Sequence, residues 1–126
     1  MDLTPLVPQG RQIIESYGDG RFRVTGALHQ GSVLVYPDKT VAWDVVESAA
    51  LTEESLAGIA AAGDAGKIEL LLIGCGARMV MIPHKLRAAL RSHGVVIEPM
   101  DTGAAARTYN VLAAEGRKVA AALIAV

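Results

Sequence analysis

The sequence is poor in several residue types, and each shortage excludes a class of protein. A single cysteine, Cys75, occurs in 126 residues, so the chain forms no internal disulfide and fits a reducing compartment. The formal net charge is −1, without the excess of basic residues that marks most nucleic-acid-binding domains. No apolar run is long enough to cross a bilayer as a helix. We therefore expect neither nucleic acid binding nor a membrane span, and any membrane association would be peripheral, through a partner.

Targeting signals are also missing from the pattern. The first residues, MDLTPLVPQGRQ, have neither a basic start nor an apolar core of signal-peptide length. With Pro5, Pro8 and Gly10 they instead predict an extended lead-in over residues 1–12. A cytoplasmic bacterial protein is the simplest interpretation of these features and of the alanine-rich, lysine-poor composition.

The residues that are present suffice for one globular domain. Apolar residues make up 52% and charged residues 20% of the chain, a balance typical of folded proteins. At 126 residues the chain matches the size of a single domain, 1–126, that can bury its own core.

The first third of the chain predicts a β-meander. After the turn Tyr17-Gly18-Asp19-Gly20, residues 21–24 alternate polar and apolar side chains, which is the period of a half-buried strand. Residues 33–36 are an apolar core strand. The turn at 37–40 then returns the chain into a partner strand at 41–43.

The middle of the chain changes to alternating helices and strands. The predicted elements are a helix at 53–62 ended by Gly63, an apolar strand at 68–73, a short extended piece at 79–82, a helix at 84–93 opened by Pro83, and a strand at 95–98 halted by Pro99. The strands and helix between 68 and 98 make a βαβ unit, which predicts a parallel pair. A strand at 41–46 followed by the first helix suggests a second such unit.

The longest predicted helix closes the chain, from 104 to 123. Its apolar positions follow the helical period and define a core stripe: Ala105, Tyr109, Leu112, Gly116, Val119 and Leu123. The polar positions lie on the other side or at the flank: Arg107, Asn110, Glu115, Arg117 and Lys118. This helix and the turn before it hold most of the distinctive polar chemistry of the chain.

The first candidate site lies where loops at the carboxyl ends of parallel strands share one edge of a sheet. The candidate ligand-binding residues are Gly74, Cys75, Gly76, Asp101, Thr102, Gly103 and Arg107. Free N–H groups at the helix start suit an anion, and Arg107 lies one turn further along. The structural alternative is that Asp101 or Thr102 only caps the helix, and that Arg107 pairs with Asp101 or is solvated.

Side chains that could carry catalysis or hold a metal are few. The Gly74-x-Gly76 pattern lacks the third glycine of a dinucleotide fingerprint and a P-loop lysine, so no cofactor is predicted. Cys75 is well presented for a nucleophile, but no histidine is tied to it in sequence, and the alternative is a small buried hydrophobe. His29, His84 and His93 lack metal-ligand spacing, and His93 suits a carbonyl cap at its helix end. We predict no catalytic group and no metal site.

The exposed face of the last helix is the second candidate site. Arginine and tyrosine are favoured anchors of protein interfaces. The candidate partner-binding residues are Tyr109, Asn110, Glu115 and Arg117. The alternative is a solvated face, since most charged residues lie at the surface. Neither the identity of a partner or ligand nor an oligomeric state follows from the sequence.

The stretch 100–110, with Leu112, Glu115, Gly116 and Arg117, resembles the signature of the complex I assembly factor 3-like proteins, a family of small domains with bacterial and archaeal members. Earlier residues extend the resemblance over nearly the whole chain: Tyr17, Gly18, Gly20, Phe22, Gly31, Ser32, Pro37, Trp43, Ile73, Gly74, Gly76 and Pro83. The resemblance implies an α/β, three-layer fold. It comprises a mixed, partly parallel central sheet, flanking helices and an additional N-terminal β-hairpin or meander layer.

The same resemblance implies no established enzymatic activity. Mitochondrial members of the family take part in assembling respiratory complex I with partner proteins, whereas no mitochondrial targeting segment is recognised in this sequence. Many relatives carry another residue at the position of Cys75, which counts against a nucleophile. The leading hypothesis is a non-enzymatic protein-binding or assembly factor, linked to complex I. The alternative is an anion-binding protein or enzyme that uses the carboxyl edge of the sheet.

Overall fold

A computed structural model describes residues 10–126, so most of the predicted lead-in at 1–12 lies outside the described residues. The elements are β1 (Ile14–Gly18), β2 (Arg21–Val24), β3 (Ala27–Gln30), β4 (Val33–Val35), β5 (Thr40–Ala42), α1 (Ala57–Asp64), β6 (Leu70–Gly74), α2 (His84–Arg91), β7 (Val96–Met100), α3 (Thr102–Ala114) and β8 (Val119–Leu123). Short 3-10 turns at Ser48–Ala50 and Glu54–Leu56 precede α1.

The strands form two sheets. β1, β2 and β3 make an antiparallel three-stranded sheet, whereas the other two strands of the predicted meander, at 33–36 and 41–43, lie in the second sheet as β4 and β5. The second sheet has the order β5-β4-β8-β6-β7. In it β7 and β8 both lie parallel to β6, whereas β4 lies antiparallel to β5 and β8. The α/β fold with a mixed, partly parallel sheet and an additional N-terminal meander is therefore confirmed.

The centre of the five-stranded sheet is buried on both faces, and its central strand β8 is buried along its whole length. Successive side chains of a strand point to opposite faces. Ala120 and Ala122 accordingly join the cluster that contains Leu86 of α2 and Ile59 of α1. The remaining residues of β8 join the cluster formed with α3 and the small sheet. The layers are thus α1 and α2, the mixed sheet, and α3 with the three-stranded sheet.

The predicted last helix is wrong in its second half, where the chain forms β8. Gly116 adopts a φ of 77°, and its N–H donates to the Ala113 carbonyl at 3.0 Å. The Arg117 N–H donates to the Leu112 carbonyl, also at 3.0 Å. This Schellman arrangement ends α3, because glycine takes the left-handed conformation without a Cβ clash. The alanines that follow favour helix by propensity, but burial between two layers overrides that preference.

Pro99 was predicted to halt a strand, and instead it lies inside β7. β7 is an edge strand whose residues Val96 and Met100 direct their backbone groups toward β6. The backbone groups of Ile97 and Pro99 point away from β6. The missing N–H of proline therefore removes no hydrogen bond between the two strands. On that outer edge the Arg87 Nη1 donates to the Ile97 carbonyl at 3.0 Å. Proline and arginine together leave this edge less able to pair with another strand.

The βαβ unit between 68 and 98 is confirmed as β6, α2 and β7. In the second predicted unit, β5 and β6 are parallel strands of one sheet joined through α1, but they are not neighbours, because β4 and β8 lie between them. The extended piece at 79–82 joins no strand. Gly63 does not end α1 but lies inside it, where a Cβ would come within 2.4 Å of the His93 carbonyl oxygen. Glycine is needed there for close packing and not for a turn.

Candidate functional site

The two loops that were predicted to share the carboxyl edge of the sheet do meet there. The Cys75 N–H donates to the Met100 carbonyl at 2.8 Å, which continues the pairing of β6 with β7 by one residue. The Thr102 N–H donates to the Gly76 carbonyl at 2.8 Å. In return the Gly76 N–H donates to the Thr102 Oγ1 at 2.9 Å. These reciprocal bonds use backbone groups that a ligand would otherwise contact.

Thr102 fills the space between the loops. Its side chain is fully buried, and its hydroxyl donates to the Ile124 carbonyl at 2.7 Å. A Cβ on Gly74 would lie 2.9 Å from the Thr102 Cα, so the two backbones are in direct contact. Asp101 acts as the cap of α3, since its Oδ1 accepts from the Ala104 N–H at 2.8 Å. Ligand binding by these loops stays a prediction, and their observed contacts are structural.

Tyr17 is a neighbour of this edge that the sequence reasoning placed only in a turn. The Arg107 Nη1 donates to the Tyr17 hydroxyl at 3.1 Å, and the predicted pairing of Arg107 with Asp101 is not among the ion pairs of residues 10–126. The same hydroxyl lies over Gly103, where a Cβ would come within 2.5 Å of it. The phenol therefore covers the first turn of α3, and glycine is the residue that leaves room for it.

Tyr109 was a candidate for partner binding, but the structure places it in the core. Its side chain is fully buried, and its hydroxyl donates to the Gln12 carbonyl at 3.2 Å and the Tyr36 carbonyl at 3.4 Å. Burial raises the pKa of Tyr109 to about 12; Arg11 lowers the pKa and Asp38 raises it by smaller effects. Tyr109 thus ties α3 to two segments of the N-terminal half.

The other three candidate partner residues are divided between structure and surface. The Asn110 Oδ1 accepts from the Ile14 N–H at 2.9 Å, and its Nδ2 donates to the Ile14 carbonyl at 2.7 Å. Asn110 therefore fastens β1 to α3. Glu115 and Arg117 are exposed beyond the end of the helix. They do not share a helix face with Asn110, because the chain has already turned toward β8.

Cys75 is a buried thiol, and no side-chain base among residues 10–126 bonds to it. Its Sγ lies 3.7 Å from the Ile73 carbonyl oxygen and 3.8 Å from that of Val80. Within residues 10–126 no group of three or more His, Cys, Asp or Glu side chains could hold a metal ion. The predicted carbonyl cap by His93 is wrong, since the His93 Nδ1 lies 2.9 Å from the Asp64 carboxylate. The contacts of Cys75 suit packing, and the contact between His93 and Asp64 joins α1 to the turn that follows α2.

The surface feature that the sequence reasoning missed is the loop after Gly76. We call residues 77–81 the Met loop. Three successive apolar side chains are exposed there: Met79 by 53%, Val80 by 40% and Met81 by 75%. The loop has no regular structure, and it starts at the carboxyl edge of β6. The sequence predicted a short extended piece at 79–82, and only its last residue, Ile82, is buried.

None of the helices in the described part of the chain has the length and apolar character needed to cross a membrane.

The sequence comparisons place the chain among related proteins. An uncharacterized protein of Rhodobacter capsulatus is 41% identical over 111 residues, which cover 88% of this chain and 82% of that protein. The Bos taurus protein named NADH dehydrogenase (ubiquinone) 1 alpha subcomplex assembly factor 3 is 37% identical over 112 residues, 88% of this chain and 59% of that one. The chain thus spans less than two thirds of that relative.

Solved structures agree with the fold and with this relationship. A crystal structure described as an outer membrane protein from Bartonella henselae matches with a TM-score of 0.85 and 39% identity, covering 93% of this chain and 97% of that one. A Mth938-like domain from Bordetella pertussis matches with a TM-score of 0.82 and 29% identity, covering 98% and 91%. A family model described as "Protein of unknown function (DUF498/DUF598)" matches residues 14–124. The resemblance to assembly factor 3 is confirmed, and the chain belongs to the DUF498/DUF598 family.

Proposed function

We propose that this protein is a non-enzymatic assembly factor that binds a protein partner through the Met loop. The observation that carries the proposal is the exposure of Met79, Val80 and Met81 on one short loop. Isolated apolar residues on a surface are ordinary, whereas a contiguous exposed patch marks an interaction site. Methionine is common at such surfaces because its unbranched, polarizable side chain adapts to different partners.

The Met loop is anchored at both ends, which favours a defined contact surface. Gly76 at its start is bonded to Thr102 through two hydrogen bonds. Ile82, directly after the loop, is buried in the main core, and Pro83 is the N-cap of α2. A loop held in this way loses less conformational entropy on binding than a free segment of the same length.

The charge around the Met loop indicates the chemistry of the partner. Residues 76–94 contain no Asp or Glu. Arg78, Lys85 and Arg91 are exposed within the same segment. A partner surface that combines apolar side chains with carboxylates would match this patch, since complementary charge directs association and excludes wrong partners.

The relatives support the assembly role and suggest where it is exercised. The Bos taurus relative bears the name of an assembly factor of NADH dehydrogenase (ubiquinone). For this chain the corresponding partner would be a subunit or assembly intermediate of the respiratory NADH dehydrogenase, complex I. A cytoplasmic, reducing location is part of the proposal, in keeping with the single buried thiol. Cell fractionation checks that location.

Site-specific photo-crosslinking tests the proposal, because it also separates the Met loop from the face of α3. A photoreactive residue replaces Val80 in one variant and Val111, which is 60% exposed on α3, in the other. We expect the variant at Val80 to capture a subunit or assembly intermediate of complex I in cells, and the variant at Val111 to capture much less. Capture at Val111 alone would move the interface to α3 and contradict the proposed role of the Met loop.

A further inference from the structure

A cavity at the end of the mixed sheet opposite the Met loop is lined by most of the lysines of the chain. The sequence has four lysines, and three of them, Lys39, Lys67 and Lys118, line one cavity of about 520 Å³ together with Arg11. Among the lining residues that lie within 10–126, the single carboxylate belongs to Asp38. Four cations against one carboxylate is a local excess of positive charge in a chain whose net charge is −1.

The cations come from four separate segments that the fold brings together. Lys67 follows α1 and precedes β6, and Lys118 precedes β8. Lys39 lies in the turn between β4 and β5. Because β6 and β8 are parallel, the cavity lies at their amino ends, opposite the edge from which the Met loop starts. We call it the amino-edge cavity.

Two of the cations are held in place by contacts of their own. The Arg11 guanidinium donates to the carbonyls of Gly116 and Arg117 just beyond α3, the former at 3.1 Å. The Lys39 Nζ lies 5.2 Å from the centre of the Tyr36 ring, which is a cation–π distance. Arg11 therefore supplies a fixed charge, and the three lysines supply mobile donors to an anion.

The rest of the lining is small and apolar. Besides the ring of Tyr36, it consists of Pro37, Gly58, Ala61, Ala62 and Ala65. Ligand sites commonly combine such an apolar wall with a few polar groups that fix orientation. A phosphate group carries more than one negative charge near neutral pH and so matches several lysines better than a single carboxylate does.

We propose that the amino-edge cavity binds a small organic phosphate, with its phosphate among Lys39, Lys67 and Lys118 and its apolar part on the alanine wall. This site is independent of the proposed partner surface, which lies at the opposite edge of the sheet. The molecule that binds in the cell carries these two chemical features, a phosphate and an apolar part that contacts the alanine wall. Adenosine monophosphate has both and is a suitable probe.

Calorimetric titration with three probes tests the proposal on the full chain. We expect adenosine monophosphate to bind, inorganic phosphate to bind more weakly, and adenosine, which lacks the charge, to bind least. Binding should weaken as salt is raised, because screening reduces attraction between exposed charges.

The combined variant Lys39→Gln, Lys67→Gln and Lys118→Gln should lose affinity by about tenfold or more. The variant Arg21→Gln with Arg23→Gln is the control, since it also removes exposed positive charge, but on β2 in the other sheet. It should bind as the unchanged protein does.

Amide chemical shifts locate the site. We expect adenosine monophosphate to shift the resonances of Lys39, Lys67 and Lys118 and to leave those of the Met loop unchanged. No binding of either phosphate probe to the unchanged protein would overturn the proposal. An equal loss of affinity in the Arg21→Gln, Arg23→Gln control would also overturn it, because the effect would then come from net charge. If the triple variant melts lower but phosphate binds nowhere, the lysines serve only to offset the carbonyl ends of the helices.

Discussion

Tyr109 illustrates how a polar side chain on α3 serves the interior of the protein. The phenol ring is fully buried, and the hydroxyl bonds to carbonyls of Gln12 and Tyr36, which are far away in sequence. Its exposed neighbours on the helix, Arg107 and Val111, lie on the outer side. In the motif Arg107-Thr108-Tyr109, the tyrosine therefore packs in the core while the arginine lies at the surface.

We predict that Tyr109 ionises only near pH 12. Burial raises its pKa from 10.0 to about 12, since the charged phenolate is poorly solvated inside the protein. Because the folded chain retains this proton longer than the unfolded chain, the contribution of Tyr109 to stability is full below pH 10 and falls as pH rises through 12. An ultraviolet tyrosinate titration should show a step near pH 12 that is missing in Tyr109→Phe. Ionisation of Tyr109 near its ordinary pKa of 10.0 would contradict the buried placement.

At the scale of elements, the small sheet is fastened to α3 by few polar contacts. Asn110 makes both of its bonds to the backbone of Ile14, and Arg107 contacts Tyr17. Apolar packing of Phe22 and Val24 against α3 adds the larger contact area. The three-stranded sheet is therefore a separate layer whose orientation depends on a small number of side chains.

We expect Asn110→Ala to loosen this layer and to lower the free energy of unfolding by about 1 to 3 kcal/mol, because two hydrogen bonds to a partly buried backbone are lost. Amide hydrogen exchange should become faster in β1 and β2 than in β6 and β8. Asn110→Asp is a graded control, because it keeps an acceptor for the Ile14 N–H but loses the donor to the carbonyl. Unchanged exchange in β1 would show that apolar packing alone holds the sheet.

The end of α3 gives a direct test of the observed structure. The predicted continuous helix and the observed helix end imply opposite effects of Gly116→Ala on the free energy of unfolding. Within a continuous helix, Gly116→Ala would stabilise by about 1 kcal/mol through helix propensity. At a φ of 77°, alanine is strained, and we predict a loss of about 1 kcal/mol instead. Gly116→Asn should lose less, because asparagine tolerates the left-handed region better. Denaturant unfolding of the two variants measures both differences.

How far the sequence predicts the elements depends on whether local signals agree with the fold. β6, α2 and β7 are predicted because a long apolar run, a proline at the helix start and glycine at its end all point the same way. β8 is missed because its alanines favour helix, and only its place between α3 and the α1–α2 layer makes it a strand. β3 was not predicted, since its four residues are two apolar side chains followed by two polar ones and do not alternate.

At the scale of the whole molecule, the two edges of the mixed sheet are chemically different. The carboxyl edge was predicted from topology, and its loops at Gly74–Gly76 and Asp101–Gly103 do meet. They bond to each other, while the exposed surface lies in the Met loop beside them. An apolar tetrapeptide has no local mark that distinguishes a buried strand from an exposed loop, so this surface was missed. The amino-edge cavity combines side chains from four distant segments, and only the folded chain shows that they are neighbours.

The central claim is that the Met loop binds a protein partner during assembly of the respiratory NADH dehydrogenase. The most direct test measures the amount of assembled enzyme on native gels in cells that lack this protein and are complemented with variants. The triple variant Met79→Ser, Val80→Ser and Met81→Ser removes the exposed patch. A matched triple variant, Leu28→Ser, Val41→Ser and Val111→Ser, removes three exposed apolar side chains elsewhere. Melting temperatures establish that both variants fold.

We predict that the unchanged protein and the matched variant restore the assembled enzyme, and that the Met loop variant does not. Equal restoration by all three proteins, or an assembled enzyme whose amount does not depend on this protein at all, would contradict the account.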